Sequence, residues 1–355
     1  MKVQTVTGEI TPDELGFTLP HEHLVFDLSC YFTMPEELKR QHALSPVSMS
    51  NLGEIRRDPF FCKDSLINND VELAIKELLH YTKTGGKSLV DLTNIGICMD
   101  PSALKAISLR TGINIISGCG FYIAASHPQR LRSMNEDQIA DEIAKDVTTG
   151  IAGTDVKAGI IGEIGTSWPM ESSEEKVLRG AARAHRKTKA AINIHTTIHT
   201  YYNKPPTSGT GEVSWAKSVH KILDIMEEEG VELSNVVLSH MDESIDLDAH
   251  RSLAKRGAYI EYDTFGSEFY FDHIDSYETR DTERIQAVLA MIKSGYLSQM
   301  LLSHEVCQKI SFKTYGGWGF DHISTHILPM LRNRGITQEQ IDEMTIENPK
   351  RILAF

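Results

Sequence analysis

Cysteine is scarce in this sequence, and no two cysteines are spaced as a metal or redox pair. The five cysteines are scattered among 355 residues without any Cys-x-x-Cys spacing. A small, odd and dispersed set argues against a disulfide scaffold and offers no thiolate zinc site. We therefore expect ordinary packed thiols in a reducing compartment.

Long apolar runs and basic charge are also lacking. No run of about 18 apolar residues occurs, and the N-terminus has no apolar stretch of the secretory-signal type. The formal net charge is -13, whereas nucleic acids and anionic membranes require a basic surface that displaces counterions. We expect a cytoplasmic protein whose partner is a small molecule, with neither nucleic acid nor membrane bound.

Proline is infrequent, and the composition is that of a folded protein. The chain has 12 prolines, 41% hydrophobic residues and 24% charged residues, which is typical of a globular protein with a sizeable core. Barrels of the α/β class often run past about 250 residues as one domain. We expect a single domain over residues 1–355, with a homodimer as the expected assembly.

Short β-branched runs alternate with longer amphipathic stretches through most of the chain. That alternation is typical of repeated βα units on a parallel sheet. The predicted strands are Gly16 to His23, Ser88 to Leu92, Ile113 to Ser117, Ala158 to Glu163, Ala191 to His195, Val236 to His240, Ala258 to Asp263 and Met300 to Ser303. The predicted helices are Asp70 to Lys83, Pro101 to Arg110, Asn135 to Thr148, Ser172 to Lys187, Val213 to Glu229, Leu247 to Arg256 and Thr282 to Lys293, followed by His322 to Arg334 and Gln338 to Ile346.

Eight such units favour a closed (β/α)8 barrel, the TIM barrel, over a doubly wound open sheet. No Gly-rich phosphate loop follows an early strand, as an open dinucleotide-binding sheet would require. A short N-terminal strand pair precedes the first barrel strand, and Leu24 to Asn69 form a long insertion after it. The sequence therefore predicts an α/β fold consisting of one barrel.

Polar side chains fall at the predicted carboxyl ends of the strands, where a parallel barrel has its active site. The residues at these ends are His21 and His23 on strand one, Glu163 on strand four, His195 on strand five, His240 on strand six and Glu305 after strand eight, with Asp91 and Asp263 near the ends of strands two and seven. Because side chains alternate along an extended chain, His21 and His23 face the same side and Glu22 faces the other.

Imidazole and carboxylate groups gathered in one place suit a borderline divalent cation such as zinc, cobalt or manganese. A single histidine at a strand end is more often a satisfied polar residue than a ligand, and a single glutamate there can pair with an arginine. Five such residues on four strands make coincidence a poor explanation. The pattern predicts a metal centre.

These motifs resemble the phosphotriesterase family of the amidohydrolase superfamily, and within it the phosphotriesterase-related proteins. The resemblance spans nearly the whole chain and rests on Leu19-Pro20-His21-Glu22-His23, Gly162-Glu163-Ile164-Gly165, Ile194-His195, Leu238-Ser239-His240, Glu261-Tyr262-Asp263, Tyr315-Gly316-Gly317 and Glu347-Asn348-Pro349.

The resemblance implies two divalent metal ions per chain, zinc before manganese or cobalt. It implies that His21 and His23 bind the more buried ion, that His195 and His240 bind the more exposed one, and that Glu163 bridges them. Glu305 departs from the family pattern, which has an aspartate as last ligand and proton shuttle. The extra methylene moves the carboxylate by about 1.5 Å, so Glu305 ligates the metal, shuttles protons with His240, or does neither.

The resemblance also implies hydrolysis by a hydroxide that bridges the metals, with Glu305 and His240 as catalytic residues. We expect a carboxylic ester or lactone as substrate, with organophosphate ester cleavage as main or side activity. One alternative is an amidase of small N-acyl amines or sulfonates, and another is an inactive metal-binding homologue.

Several loop residues have a functional and an ordinary interpretation. Lys204 and Arg251 either neutralise an anionic substrate group or are solvated surface cations, and His199 is a spare ligand or a surface residue. Aromatic residues after strand ends either line a pocket or are ordinary loop packing, namely Phe121, Tyr122, Trp168, Tyr315 and Trp318.

Overall fold

The computed structural model describes residues 1–35, 37, 40–196, 215–271 and 276–355. Eight parallel strands form the barrel: β1 (Thr18–Glu22), β2 (Ser88–Asp91), β3 (Asn114–Ser117), β4 (Ile161–Thr166), β5 (Ile192–Thr196), β6 (Val236–Ser239), β7 (Tyr259–Tyr262) and β8 (Met300–Leu302). Strands β1 to β3 form one parallel ladder and β4 to β8 another.

Hydrogen bonds outside these ladders close the barrel at its two remaining junctions. Between β3 and β4, Gly159 N donates to Ser117 O at 2.9 Å and Gly162 N donates to Cys119 O at 2.7 Å. Between β8 and β1, His21 N donates to Ser303 Oγ at 3.1 Å. The predicted TIM barrel is therefore confirmed.

Strand β4 is the one barrel strand whose predicted limits are wrong by three residues, since it begins at Ile161 rather than Ala158. The register of β4 against β5 shifts between Ile161 and Ile164. At this irregularity Gly162 has a φ of 144°, and a Cβ there would lie 2.5 Å from the carbonyl oxygen of Asn193. Glu163 consequently lies inside β4 and does not end it.

Helices follow the strands with limits close to those predicted. Asp70 and Asp100 cap two of them by accepting hydrogen bonds from Leu73 N and Ala103 N, as short acidic residues do at helix N-termini. The helices are α1 (Val71–Lys83), α2 (Pro101–Thr111), α3 (Glu136–Thr148), α4 (Ser172–Thr188), α5 (Trp215–Glu228), α6 (Leu247–Lys255) and α7 (Asp281–Lys293). After β8, helical segments cover Ile323–Ile327, Leu328–Arg332, Gln338–Asp342, Glu343–Glu347 and Asn348–Leu353.

The interior of the barrel is filled by its own apolar side chains, including Val90, Ile116, Val237 and Leu301. An N-terminal strand pair, Val3–Thr5 with Gly8–Ile10, brings Val3 to one end of this cluster, and the last helix brings Leu353 there. The end of the barrel that receives both chain termini is thus closed, and the polar side chains lie at the other end.

The insertion after β1 has its own small core. An antiparallel pair, Phe26–Asp27 with Ile67–Asn68, joins its two ends, and two short helices, Arg40–Ala43 and Leu52–Arg57, lie between them. Ile55 and Phe61 pack there against Ile310 from the loop after β8. A third antiparallel pair joins Tyr270–Phe271 to Ser276–Tyr277. No helix of the described residues is long and apolar enough to cross a membrane.

Candidate metal centre

The barrel brings the six predicted ligands to one place at the end of its interior. His21 lies on β1 with His23 directly after it, Glu163 on β4, His195 on β5, His240 after β6 and Glu305 after β8. The four histidines and Glu163 are buried, and the Glu305 side chain is 16% exposed.

Glu163 is the centre of this cluster. Its Oε2 lies 2.9 Å from His195 Nδ1, 3.4 Å from His240 Nε2 and 3.6 Å from His21 Nε2. Its Oε1 lies 3.4 Å from His23 Nε2. One carboxylate therefore faces all four imidazoles, which is the arrangement that a bridging ligand between two cations needs.

Glu305 lies at the edge of the cluster. Its Oε1 is 3.9 Å from His23 Nε2 and its Oε2 is 3.7 Å from His240 Nδ1. Both Glu305 and His240 have positive φ values, 46° and 60°, which are uncommon for residues other than glycine and tend to occur at functional sites.

Carboxylates behind the histidines fix the direction of their rings. Asp263 lies 2.9 Å from His21 Nδ1 and 3.0 Å from His240 Nδ1, and the hydroxyl of Thr93 lies 2.9 Å from His23 Nδ1. Because the Nδ1 atoms are engaged in this way, the Nε2 atoms of these three histidines face Glu163.

A buried arginine supports Asp263 from the helix layer. Arg284 on α7 lies 3.0 Å from Asp242 Oδ2, and the Asp242 carboxylate accepts hydrogen bonds from the backbone N of Asp263 and Thr264. The sequence pattern did not identify Arg284, Asp242 or Thr93, because only folding shows which partners these side chains meet. Asp263 itself was located by its position near the end of strand seven.

The cluster is strongly charged within a buried space. Burial alone would lower the pKa of His21, but the Glu163 and Asp263 carboxylates raise it well above its ordinary value. Burial opposes ionisation of Glu163, yet the His195 and His21 rings lower its pKa well below the ordinary range. Burial raises the pKa of Glu305 to about 7, although His240 and His21 oppose this.

These residues are able to hold a metal ion. His21, His23, Glu163 and Glu305 form one group whose ligand atoms lie within 4.8 Å of one another, and Glu163, His195 and His240 form a second. Within the described part of the chain, the buried atoms His21 Nε2, His23 Nε2 and Glu163 Oε1 have no hydrogen-bond partner. Imidazole and carboxylate donors suit zinc, manganese or cobalt.

Two tyrosines adjoin His195. Tyr31 from the insertion donates a hydrogen bond to the Tyr122 hydroxyl at 2.7 Å, and the Tyr122 hydroxyl lies 3.4 Å from His195 Nδ1. Burial raises the pKa of both phenols well above the ordinary value. Tyr122 thus borders the cluster, and Trp318 lines a neighbouring cavity.

Other predicted residues lie elsewhere. Arg251 on α6 donates to Ser294 Oγ, after the end of α7, and pairs with Asp248, so it belongs to the outer helix layer and not to the site. His304, the residue before Glu305, donates from Nδ1 to Glu22 and accepts at Nε2 from Ile323 N, so both of its ring nitrogens hold the fold together. Lys204 and His199 lie outside the described residues.

The whole chain was compared with known proteins. Residues 1–353 match the model of the phosphotriesterase family. The chain belongs to this family. An N-acetyltaurine hydrolase of Danio rerio is 37% identical over 358 residues, covering 100% of this chain and 98% of that relative.

Solved structures agree on the fold. A resiniferatoxin-binding protein from Rhodobacter sphaeroides is 37% identical, with a TM-score of 0.92 over 99% of this chain and 94% of its own. A lactonase from Listeria monocytogenes has a TM-score of 0.78 over 100% of this chain and 99% of its own, but at 24% identity it shows the fold alone.

The protein is a hydrolase of this family, but our expectation of a carboxylic ester, lactone or organophosphate substrate is wrong. The relative from Danio rerio carries the name of an amide hydrolase, and its counterpart from Homo sapiens is 36% identical over 100% of this chain. The metal centre could not have revealed this, because the same ligands can serve esters and amides.

Proposed function

We propose that this protein is a metal-dependent amidase that hydrolyses N-acyl derivatives of small amines bearing an acidic group, with N-acetyltaurine as the first substrate to test. The observation that carries the proposal is the buried cluster around Glu163, in a chain that shares 37% identity over its full length with an N-acetyltaurine hydrolase.

Two divalent ions, most simply zinc, would be held by residues of this chain. His21 and His23 would bind one ion, His195 and His240 would bind the other, and Glu163 would bind both. Two such ions polarise a carbonyl group and activate water at neutral pH.

Glu305 is the group that we assign to proton transfer. It takes a proton from the attacking water as the C–O bond forms and delivers it to the amide nitrogen as the C–N bond breaks. The acid formed then gives its remaining proton to the amine, so the products are a carboxylate and an ammonium group. His240 Nδ1 lies 3.7 Å from Glu305 Oε2, so its ring stabilises the negative charge of Glu305 when that carboxylate is ionised. Asp263 holds the His240 ring in this position.

The test is direct. Protein stripped by a chelator and reloaded with zinc, manganese or cobalt is assayed for release of taurine from N-acetyltaurine by mass spectrometry. We expect activity that disappears on stripping and returns with metal. Protein that carries two metal ions per chain and leaves N-acetyltaurine and related N-acyl amino acids intact would contradict the proposal.

A further inference from the structure

A cavity of about 350 Å³ lies among the loops that follow the last two barrel strands. It is enclosed by the loop after β7, the loop after β8 and the insertion helix Leu52–Arg57, with Phe265, His304, Trp318 and Arg56 among its lining residues. This volume is at the lower end of the range for small-molecule pockets, about 300 to 1,000 Å³.

Two residues that line the cavity are close in sequence to residues at the cluster. His304 lines the cavity and the next residue, Glu305, belongs to the cluster. Phe265 lines it two residues after Asp263, which holds the rings of His21 and His240. These short links along the chain make the cavity the candidate place for the part of a substrate that extends from an amide held at the cluster.

Arg56 provides positive charge at this cavity. Its guanidinium donates to the carbonyl oxygen of Gly316, and it forms no ion pair with a carboxylate of the described chain. Two nearby lysines are already paired, since Lys309 lies 2.7 Å from Asp64 and Lys313 lies 2.7 Å from Asp321.

The remaining charges around the cavity are negative. Glu268 also lines it, and its Oε1 accepts a hydrogen bond from Asp281 N. The cluster itself holds Glu163 and Glu305, which would repel an anionic group placed beside them. The acidic group of a substrate must therefore lie away from Glu163 and Glu305 and, within the cavity, nearer to Arg56 than to Glu268.

We propose that Arg56 binds the anionic group of the amide substrate, a sulfonate or carboxylate, in this cavity. The inference rests on the proposed amidase function and names its specificity residue. A guanidinium presents several N–H donors in a planar fork that matches the oxygens of such groups. Arg56 takes the role that was one of two interpretations of Arg251 and Lys204 in the sequence, the other being that of solvated surface cations.

The experiment compares substrates that differ only in charge. Steady-state kinetics are measured on N-acetyltaurine, N-acetyl-β-alanine and uncharged N-propylacetamide for the wild type, Arg56→Gln and Arg56→Lys. Arg57→Gln is the matched control, because it removes the same charge from the same helix, where Arg57 lies over the ring of Tyr270. Metal content and thermal unfolding are measured for every variant.

In Arg56→Gln, we expect the ratio of kcat/KM for N-acetyltaurine to that for N-propylacetamide to fall at least about tenfold, as for loss of a charge-assisted hydrogen bond. Arg56→Lys should recover part of the ratio, and Arg57→Gln should leave it unchanged. If kcat/KM for N-acetyl-β-alanine falls by a similar factor, the site binds anions in general. If it does not fall, the site is specific for sulfonates. Lys204→Met is measured in the same way. The proposal is overturned if Arg56→Gln leaves the ratio unchanged, or if Lys204→Met lowers it as much as was expected for Arg56→Gln while Arg56→Gln does not.

A wild-type protein that hydrolyses none of these amides contradicts the proposed function but still allows a test of the cavity. Zinc-loaded wild type and Arg56→Gln are then titrated calorimetrically with ethanesulfonate. Weaker binding by Arg56→Gln supports the anion site. Equal binding, or no binding to the wild type, overturns it.

Discussion

Glu22 Oε1 accepts a hydrogen bond from His304 Nδ1 at 2.7 Å across the junction where the last barrel strand meets the first. The same carboxylate accepts from Ser303 Oγ at 2.7 Å and from Val306 N at 2.8 Å. Glu22 therefore closes the barrel and also holds the chain on both sides of Glu305. A side chain that faces away from the cluster thus sets the position of one of its members.

Glu22→Gln should lower the free energy of unfolding by about 1 to 3 kcal/mol, because an amide cannot accept from all of these donors and leaves some of them buried without partners. Urea denaturation followed by tryptophan fluorescence measures this. Glu72→Gln is the control, since Glu72 is an exposed partner of Arg110 and its loss should have no measurable effect. Equal stability of the two variants would show that Glu22 is dispensable.

The elements of the fold and the grouping of the candidate ligands could be predicted because they depend on local patterns. Strand and helix periodicity located the barrel, and the rule that active sites lie at the carboxyl ends of parallel strands selected His21, His195 and His240. The position of Glu163 was harder, since the irregularity at Gly162 arises from close approach to Asn193 on the next strand, which no local pattern encodes.

The supporting and specificity residues could not be found in this way. Arg56 reaches the site only because its insertion packs against the loop after β8, and Arg284 reaches Asp242 only across the helix layer. Arg251 fits its interpretation as a surface cation, since it contacts Asp248 on α6 and Ser294 after α7, and these neighbours are visible only in the folded chain. Such contacts join residues that are far apart in the sequence, so local sequence patterns cannot predict them.

Glu163→Gln should lower the metal content below two ions per chain and reduce the rate of amide hydrolysis at least about a hundredfold. A carboxamide has no negative charge to offer two cations, and even residues that act behind the ligands change metal affinity by about 10- to 100-fold. Elemental analysis of dialysed protein and kcat measurements test this, with Glu136→Gln on α3 as control. Full metal content and full rate in Glu163→Gln would remove the bridge from the proposal.

Glu305→Ala should lose at least about a hundredfold in kcat while the ion at His195 and His240 is retained, because proton transfer contributes about 10²- to 10⁴-fold. Glu305→Asp should fall between the wild type and Glu305→Ala, since a retracted carboxylate is misplaced by more than 1 Å. Metal content and kcat are measured on the same preparations. A wild-type kcat in Glu305→Ala would exclude Glu305 from catalysis.

His250 makes stability depend on pH at a place away from the metal cluster. Its Nδ1 lies 2.7 Å from the Tyr262 hydroxyl, and burial lowers its pKa from 6.5 to about 4. Between these two values the unfolded chain binds a proton that the folded chain does not, so stability falls as the pH falls through this window.

His250→Gln, which does not titrate, should therefore lack this part of the pH dependence. The difference in unfolding free energy between the two proteins should change by about 2 kcal/mol from pH 6.5 to pH 5, at about 1.4 kcal/mol per pH unit. Urea unfolding at both pH values measures it, because titration of the cluster is common to both proteins and cancels. Parallel stability curves would show that His250 takes up its proton equally well in the folded and unfolded chains.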